Sequence, residues 1–273
     1  MPSINVVESN NQFISFGRFL ADSTPESEIT EKDGITICWT GNQLLFFNLL
    51  FLSEQTASHD VLAQRLRSAA EYMRAKSQAG LFSICEDYLD HEARAQLDEE
   101  IEKAGLTPLM AATGMQGDLL TFDEAGEHSD LRIERATELE AIHHCADINS
   151  AAYGVPLDPM REGLLGAALQ TERMFCYVGY DEGKPVSTAS VILSGDILYV
   201  AFVATLPEAR RRGFAEATMR HALQAAHKAS GYRRTCLHSS EAGYAIYERM
   251  GYSPVTRIVC YGLAGGEDVH PVE

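Results

Sequence analysis

The chain has 273 residues, of which 45% are hydrophobic and 22% charged, and a formal net charge of −17. That length and apolar content predict a globular α/β protein of one large domain or two ordinary ones. The charge excludes a nucleic-acid binder, which needs clustered cations to meet phosphates.

The acidity is uneven. Up to Glu127 there are 8 basic against 21 acidic residues, and 14 against 18 beyond it. This balance mildly favours cationic substrates, or serves solubility alone. Six cysteines (Cys38, Cys85, Cys145, Cys176, Cys236 and Cys260) are scattered without a C-x-x-C pair. They read as buried reduced thiols, with neither a disulfide frame nor a zinc site. The N-terminus lacks the charged and apolar regions of a signal peptide, and no apolar run reaches the length of a membrane span. A cytoplasmic protein is expected.

In the first half, residues 11–21 predict a short helix and 22–33 a polar connection. Residues 35–39 and 43–47 read as strands around the turn signal Thr40-Gly41-Asn42. Residues 60–78 predict an amphipathic helix with Leu62, Leu66, Ala69 and Met73 on one face. A strand at 81–85, a helix at 91–104 and one or two strands within 106–120 follow. The short acidic stretch 121–130, holding Gly126, is the linker candidate.

The second half restarts with a strand at 131–136 and helices at 138–151 and 158–169. Strands follow at 174–178 and 185–193. His143 and His144 are adjacent on a helix and face different directions, so they make no metal pair. Residues 197–205 form a near-continuous apolar run, a buried strand that Pro207 ends. A helix then opens at Gly213 and closes at Ser230-Gly231. Arg210, Arg211 and Arg212 precede Gly213 in this strand–turn–helix. Free N–H groups and the helix dipole favour an anion there, and glycine allows close backbone approach. Neither a Walker loop nor a dinucleotide fingerprint occurs.

Arg210-x-x-Gly213-x-Ala215 after a strand resembles the acyl-CoA pyrophosphate loop of the GNAT-type N-acetyltransferases. The strand at 235–238 and a helix carrying Tyr247-x-x-x-Gly251-Tyr252 resemble that family's later signature, in the expected order. The resemblance runs from about Asp130 to Leu263 and implies the GNAT fold, a mixed, mostly antiparallel sheet flanked by helices. The first half repeats the element order without the motif, so the fold is read as duplicated. Residues 1–125 are expected to be a degenerate GNAT-like domain and 126–273 the catalytic one. Ser58-His59-Asp60 precedes the long first-half helix, with no glycine and no arginine cluster. Asp60 reads as a helix cap that repels a pyrophosphate, so no CoA is expected there.

By the same resemblance, acetyl-CoA is the cosubstrate, without metal. Its pantetheine arm lies along Val203, Ala204 and Thr205, and its pyrophosphate lies on Arg210, Arg211, Arg212, Gly213, Phe214 and Ala215. Tyr247 matches the family's general acid beside the sulfur. Its reference pKa of about 10, against about 8.5 for a thiol, favours a hydrogen bond or a proton relay over full donation. Many relatives carry a glutamate on the central strand, but residues 197–205 contain no acid, so His238 is the candidate base. Ser239 and Ser240 stand where many relatives have asparagine. Asn149 and Tyr153 border the acceptor groove or simply end their helix. The implied activity is acetyl transfer to a primary amine, either small or peptide-borne, and a homodimer stays open. An acyl-CoA sensor without turnover, and a scaffold recruiting partners through its acidic half, are the alternatives.

Overall fold

The computed structural model describes residues 1–119 and 131–265. The linker read at 121–130 and the tail from Gly266 lie outside the described residues. In chain order the elements are α1 (Ile4–Asp22), β1 (Glu28–Lys32), β2 (Ile35–Trp39), β3 (Asn48–Leu52), α2 (His59–Arg74), β4 (Leu81–Cys85), α3 (His91–Ala95), α4 (Leu97–Ala104) and β5 (Leu106–Asp118). There follow β6 (Leu131–Arg135), α5 (Leu139–Tyr153), α6 (Leu157–Ala168), β7 (Met174–Asp181), β8 (Lys184–Ser194), β9 (Ile197–Thr205), α7 (Phe214–Ser230), β10 (Arg234–Ser239), α8 (Glu241–Arg249) and β11 (Ser253–Leu263). The fold is α/β, with mixed, mostly antiparallel strand pairing and flanking helices.

Two compact units divide the chain. Among the described residues, the first takes 1–115, 239–244 and 254–265; the second takes 116–119, 131–238 and 245–253. Neither unit is therefore a single continuous half of the sequence.

In the first unit the strand order is β1-β2-β3-β4-β11. β1–β2 and β2–β3 pair antiparallel, β3–β4 parallel and β4–β11 antiparallel. β2, β3 and β4 are buried at every residue, as continuous apolar strands with both faces covered should be. Two elements depart from the sequence reading. The first hairpin turns at Asp33 (φ 53°) and Gly34 (φ 78°), an Asp-Gly pair with both residues left-handed, which suits a tight hairpin. Its outer strand β1 is exposed throughout, so no hydrophobic alternation marks it. Residues 45–47 form a 3₁₀ turn rather than a strand, and the strand starts at Asn48. The buried Asn48 amide explains the shift. It accepts from Gly41 N (2.9 Å) and donates to the carbonyls of Asn42 (2.7 Å) and Ala79 (2.8 Å), which holds the connection as a loop. Helix α1 also starts earlier than read, where the Ser3 hydroxyl accepts from Val6 N (3.3 Å).

In the second unit the order is β10-β9-β8-β7-β6. β6–β7, β7–β8 and β8–β9 pair antiparallel, and β9–β10 pair parallel. Cys176 of β7 meets Cys145 of α5, while the next residue, Tyr177, meets His221 of α7. Neighbouring strand residues face opposite sides, so α5 and α7 cover opposite faces. The succession helix, antiparallel three-strand meander, helix and parallel strand occurs in both units, which fits a duplication.

The stretches between meander and helix differ. In the first unit, residues 53–58 wrap around Arg65 of α2. Its guanidinium donates to the carbonyls of Asp33 (2.8 Å), Glu54 (2.9 Å) and Gln55 (3.1 Å) and to the Thr56 hydroxyl (2.9 Å). The cap of α2 is Ser58, whose hydroxyl accepts from Val61 N (3.4 Å), rather than Asp60, which lies in the first turn. Arg65→Met keeps the aliphatic stem and strands these acceptors. A loss of about 2–3 kcal/mol is expected. Urea unfolding checks it, and an unchanged midpoint would mean that water replaces the guanidinium without cost.

Candidate active site

The site is built where β9 and β10 part. Their parallel ladder runs from Arg234↔Ile197 to Leu237↔Val200. β9 continues to Thr205 beyond that last pair. On its other side the register to β8 jumps from Ser190↔Ala201 to Thr188↔Ala204. Phe202 and Val203 thus stand opposite the single residue Ala189 in a bulge, and Phe202 takes a left-handed φ of 52°. Such a φ is rare for a bulky residue, and a bulge bends its strand and re-aims its backbone groups. Residues 197–205 gave no sign of it, because an apolar run reads the same with or without a bulge.

Past Thr205, a 3₁₀ turn at Pro207–Ala209 leads into the basic stretch. Arg211 (φ 65°) and Gly213 (φ 81°) are both left-handed, and Gly213 caps α7 without any side-chain hydrogen bond. The first intrahelical bond runs from Ala217 N to Gly213 O (3.0 Å). The amides of Phe214, Ala215 and Glu216 therefore have no intrahelical partner. With no capping side chain in the way, they fit an anion such as a pyrophosphate.

The three arginines separate in role. The Arg210 guanidinium donates to the Ala152 carbonyl (3.1 Å) at the end of α5. Arg212 donates to Asp181 Oδ2 (2.6 Å) and lies over the Phe214 ring, 4.4 Å from its centroid. Arg211 is exposed, and among the described residues it has no hydrogen-bond or ion-pair partner.

Tyr153, at the end of α5, donates from its hydroxyl to the Val203 carbonyl (2.9 Å) inside the bulge, although its side chain is 45% exposed. Ala204 and Thr205 pair with β8, and the Thr205 hydroxyl is buried. Tyr247 of α8 is half-buried, its ring 6.1 Å from that of Tyr252 in an edge-on arrangement. Burial pushes the Tyr247 phenol well up, and the nearby Tyr153 and Tyr252 phenols add to this. It stays protonated, with a hydroxyl able to donate a hydrogen bond.

His238 stands one residue beyond the last β9–β10 pair, with Nδ1 2.9 Å from the Tyr199 hydroxyl. Burial pushes it down to about 3. A histidine so depressed is neutral at working pH and a poor acceptor for an amine proton, so the electrostatics do not favour it as base. Asn149 is fully buried and its amide donates to the Cys145 carbonyl (2.8 Å), a contact within its own helix. Ser239 and Ser240 serve the start of α8: the Ser239 hydroxyl donates to the Ser240 carbonyl (2.7 Å), which also accepts from Gly243 N (3.2 Å). No group of three or more metal-ligating side chains occurs among the described residues.

Comparison with known families matches residues 172–254 to a model described as an acetyltransferase (GNAT) domain. That stretch is similar to the GNAT acetyltransferase domains. The match covers β7 to the start of β11, hence the bulge, the Gly213 loop and Tyr247. Solved structures share the fold across nearly the whole chain. A GCN5-related N-acetyltransferase from Kribbella flavida is 16% identical with a TM-score of 0.70, covering 94% of this chain and 96% of that one. A GCN5-related N-acetyltransferase from Sphaerobacter thermophilus is 13% identical with a TM-score of 0.61, covering 88% and 78%. A tandem GNAT protein from the clavulanic acid biosynthesis pathway is 10% identical with a TM-score of 0.57, covering 97% and 96%. No curated protein gives a significant match. The match over residues 172–254 supports acyl transfer in general. Among the described residues, no helix is long and apolar enough to cross a membrane.

The depressed His238 has a measurable consequence. Its folded pKa of about 3 lies below the unfolded value of about 6.5, so the unfolded chain binds more protons between these values. Its share of stability is therefore present above pH 6.5 and lost as pH falls. His238→Gln is expected to flatten the stability–pH slope between pH 6.5 and 5 by up to about 1.4 kcal/mol per unit. Parallel slopes for the two proteins in denaturant titrations would refute the depression.

Proposed function

We propose that the GNAT domain transfers an acetyl group from acetyl-CoA to a primary amine by direct attack of the amine nitrogen on the thioester. The observation that carries this reading is the uncapped start of α7 at Gly213, following in sequence the strand β9 whose pairing with β10 ends at Val200. Acetyl-CoA would supply the activated acyl group. Gly213, Phe214 and Ala215 offer backbone N–H groups to the pyrophosphate, and the exposed Arg211 adds a cation to its outer side. Val203, Ala204 and Thr205 run beside the pantetheine arm, and the bulge at Phe202 turns backbone groups toward the thioester carbonyl. As the C–N bond forms and the C–S bond breaks, Tyr247 donates a hydrogen bond to the departing sulfur.

The proton of the acceptor needs another route. An ammonium of pKa about 10.4 holds its proton at neutral pH, and releasing it costs about 4–5 kcal/mol. With no acid on β9 and His238 depressed, the amine reacts as the neutral fraction supplied by water, with His238 as a hydrogen-bonding wall. These same two observations favour the second reading, an acyl-CoA binding protein without turnover. The first unit is read as carrying no acyl-CoA, which Arg65 and the Ser58 cap support. Its excess of acid over base keeps a partner-recruiting role open to it.

Thiol release from acetyl-CoA across an amine panel separates turnover from binding alone. Gly213→Asp should abolish CoA binding, by setting a carboxylate against the pyrophosphate and a side chain at a left-handed φ. Unchanged calorimetric affinity in the folded variant would remove the loop assignment.

Tyr247→Phe removes one hydroxyl and keeps the ring. CoA affinity should hold, while kcat and kcat/KM fall together by about 10²- to 10⁴-fold. A folded variant turning over within a few-fold of the parent would end the donor role.

A further inference from the structure

Two consecutive residues at the end of α5 hold the two ends of the segment that carries the proposed acetyl-CoA site. The Tyr153 hydroxyl donates to the Val203 carbonyl (2.9 Å) at the bulge, and the Ala152 carbonyl accepts from Arg210 Nη2 (3.1 Å) at the first arginine of the basic loop. Between these anchors lie the end of β9 and the 3₁₀ turn at Pro207–Ala209.

The chemistry of a helix end explains the second anchor. The last carbonyls of an α-helix lack intrahelical donors and carry the negative end of its dipole. α5 ends with Gly154 in the left-handed region, whose N–H returns to Ser150 O and leaves the Ala152 carbonyl to another donor. Arg210 supplies it, so this exposed guanidinium is tied to a helix terminus. Arg211, next in sequence and exposed, is the side chain still available to an anion.

The first anchor meets strained backbone. Phe202 at φ 52° persists only where its surroundings over-determine it. The Tyr153 hydroxyl holds the very next residue.

We propose that the last turn of α5 is a clamp that sets the cofactor segment, with Tyr153 and Arg210 as positioning residues and Arg210 bonding to protein rather than to phosphate. The inference rests on the acetyl-CoA reading, and it divides the loop's arginines between support and ligand contact.

CoA itself is the probe, titrated calorimetrically into the full chain at low and high salt. Arg210→Met should weaken binding about 10-fold, the order expected for losing one such hydrogen bond, with the salt dependence of the parent. Arg210→Gln, a neutral donor, should recover most of that loss. Arg211→Met should instead reduce the salt dependence, as loss of a phosphate-facing cation does. Because both anchors serve one segment, Tyr153→Phe combined with Arg210→Met should cost less than the product of the single effects. Equal losses in Arg210→Gln and Arg210→Met, or a reduced salt dependence in either, would overturn the clamp and make Arg210 a phosphate ligand. No loss in Arg210→Met, or strictly multiplicative effects in the double variant, would overturn it too. Absence of CoA binding by the parent would remove the functional reading and the clamp with it, whereas binding by the parent with unaffected variants removes the clamp alone.

Discussion

β9 and β10 share a parallel ladder as far as Val200 and Leu237 and then separate, and the functional half of the molecule depends on that separation. Two neighbouring strands that part leave backbone donors and acceptors that must find other partners. On the β8 side, the bulge at Phe202 and Val203 lets pairing resume with one residue in excess. On the β10 side, the pairing of β9 ends at Val200. One side chain, Tyr153, already takes the Val203 carbonyl. The opening is thus a property of the backbone, lined by side chains that hold it in shape.

The two units illustrate how one succession of elements can be opened or closed. Where the second unit leads from its meander into an uncapped glycine, the first leads into Ser58, which caps α2 itself. Where the second exposes Arg211, the first turns Arg65 inward against three carbonyls and a hydroxyl. A guanidinium has several donors in a rigid fork, so a single arginine can satisfy a whole loop. That loop then has its polar groups matched within the protein. The difference lies in where the donors point.

Around the opening, burial acts on the titratable groups in one direction, favouring neutral forms. It raises Tyr247 and Tyr153 and lowers His238. These three side chains are therefore held in their neutral forms, which can donate or accept hydrogen bonds but do not readily take up or lose a proton.

Much of the architecture was legible in sequence. The buried strands of both units, the amphipathic helices α2 and α7, and Gly213 at a helix start follow from apolar periodicity and from glycine's access to positive φ. The Gly213 loop and Tyr247 were legible as motif residues, and the family match spans both. The Asp33-Gly34 turn was missed, because the polar, fully exposed β1 before it reads as a connection rather than a strand. Other features required the folded chain. Asn48 moves a strand only because its amide meets Gly41, Asn42 and Ala79, and the bulge at Phe202 exists only against β8. His238 loses its basicity through burial, and Arg210 turns from apparent ligand to strut because Ala152, far back in the chain, ends a helix beside it. Local sequence decides what a residue can donate, accept or allow in its backbone; tertiary structure alone decides which groups meet, and so which of those capacities are used.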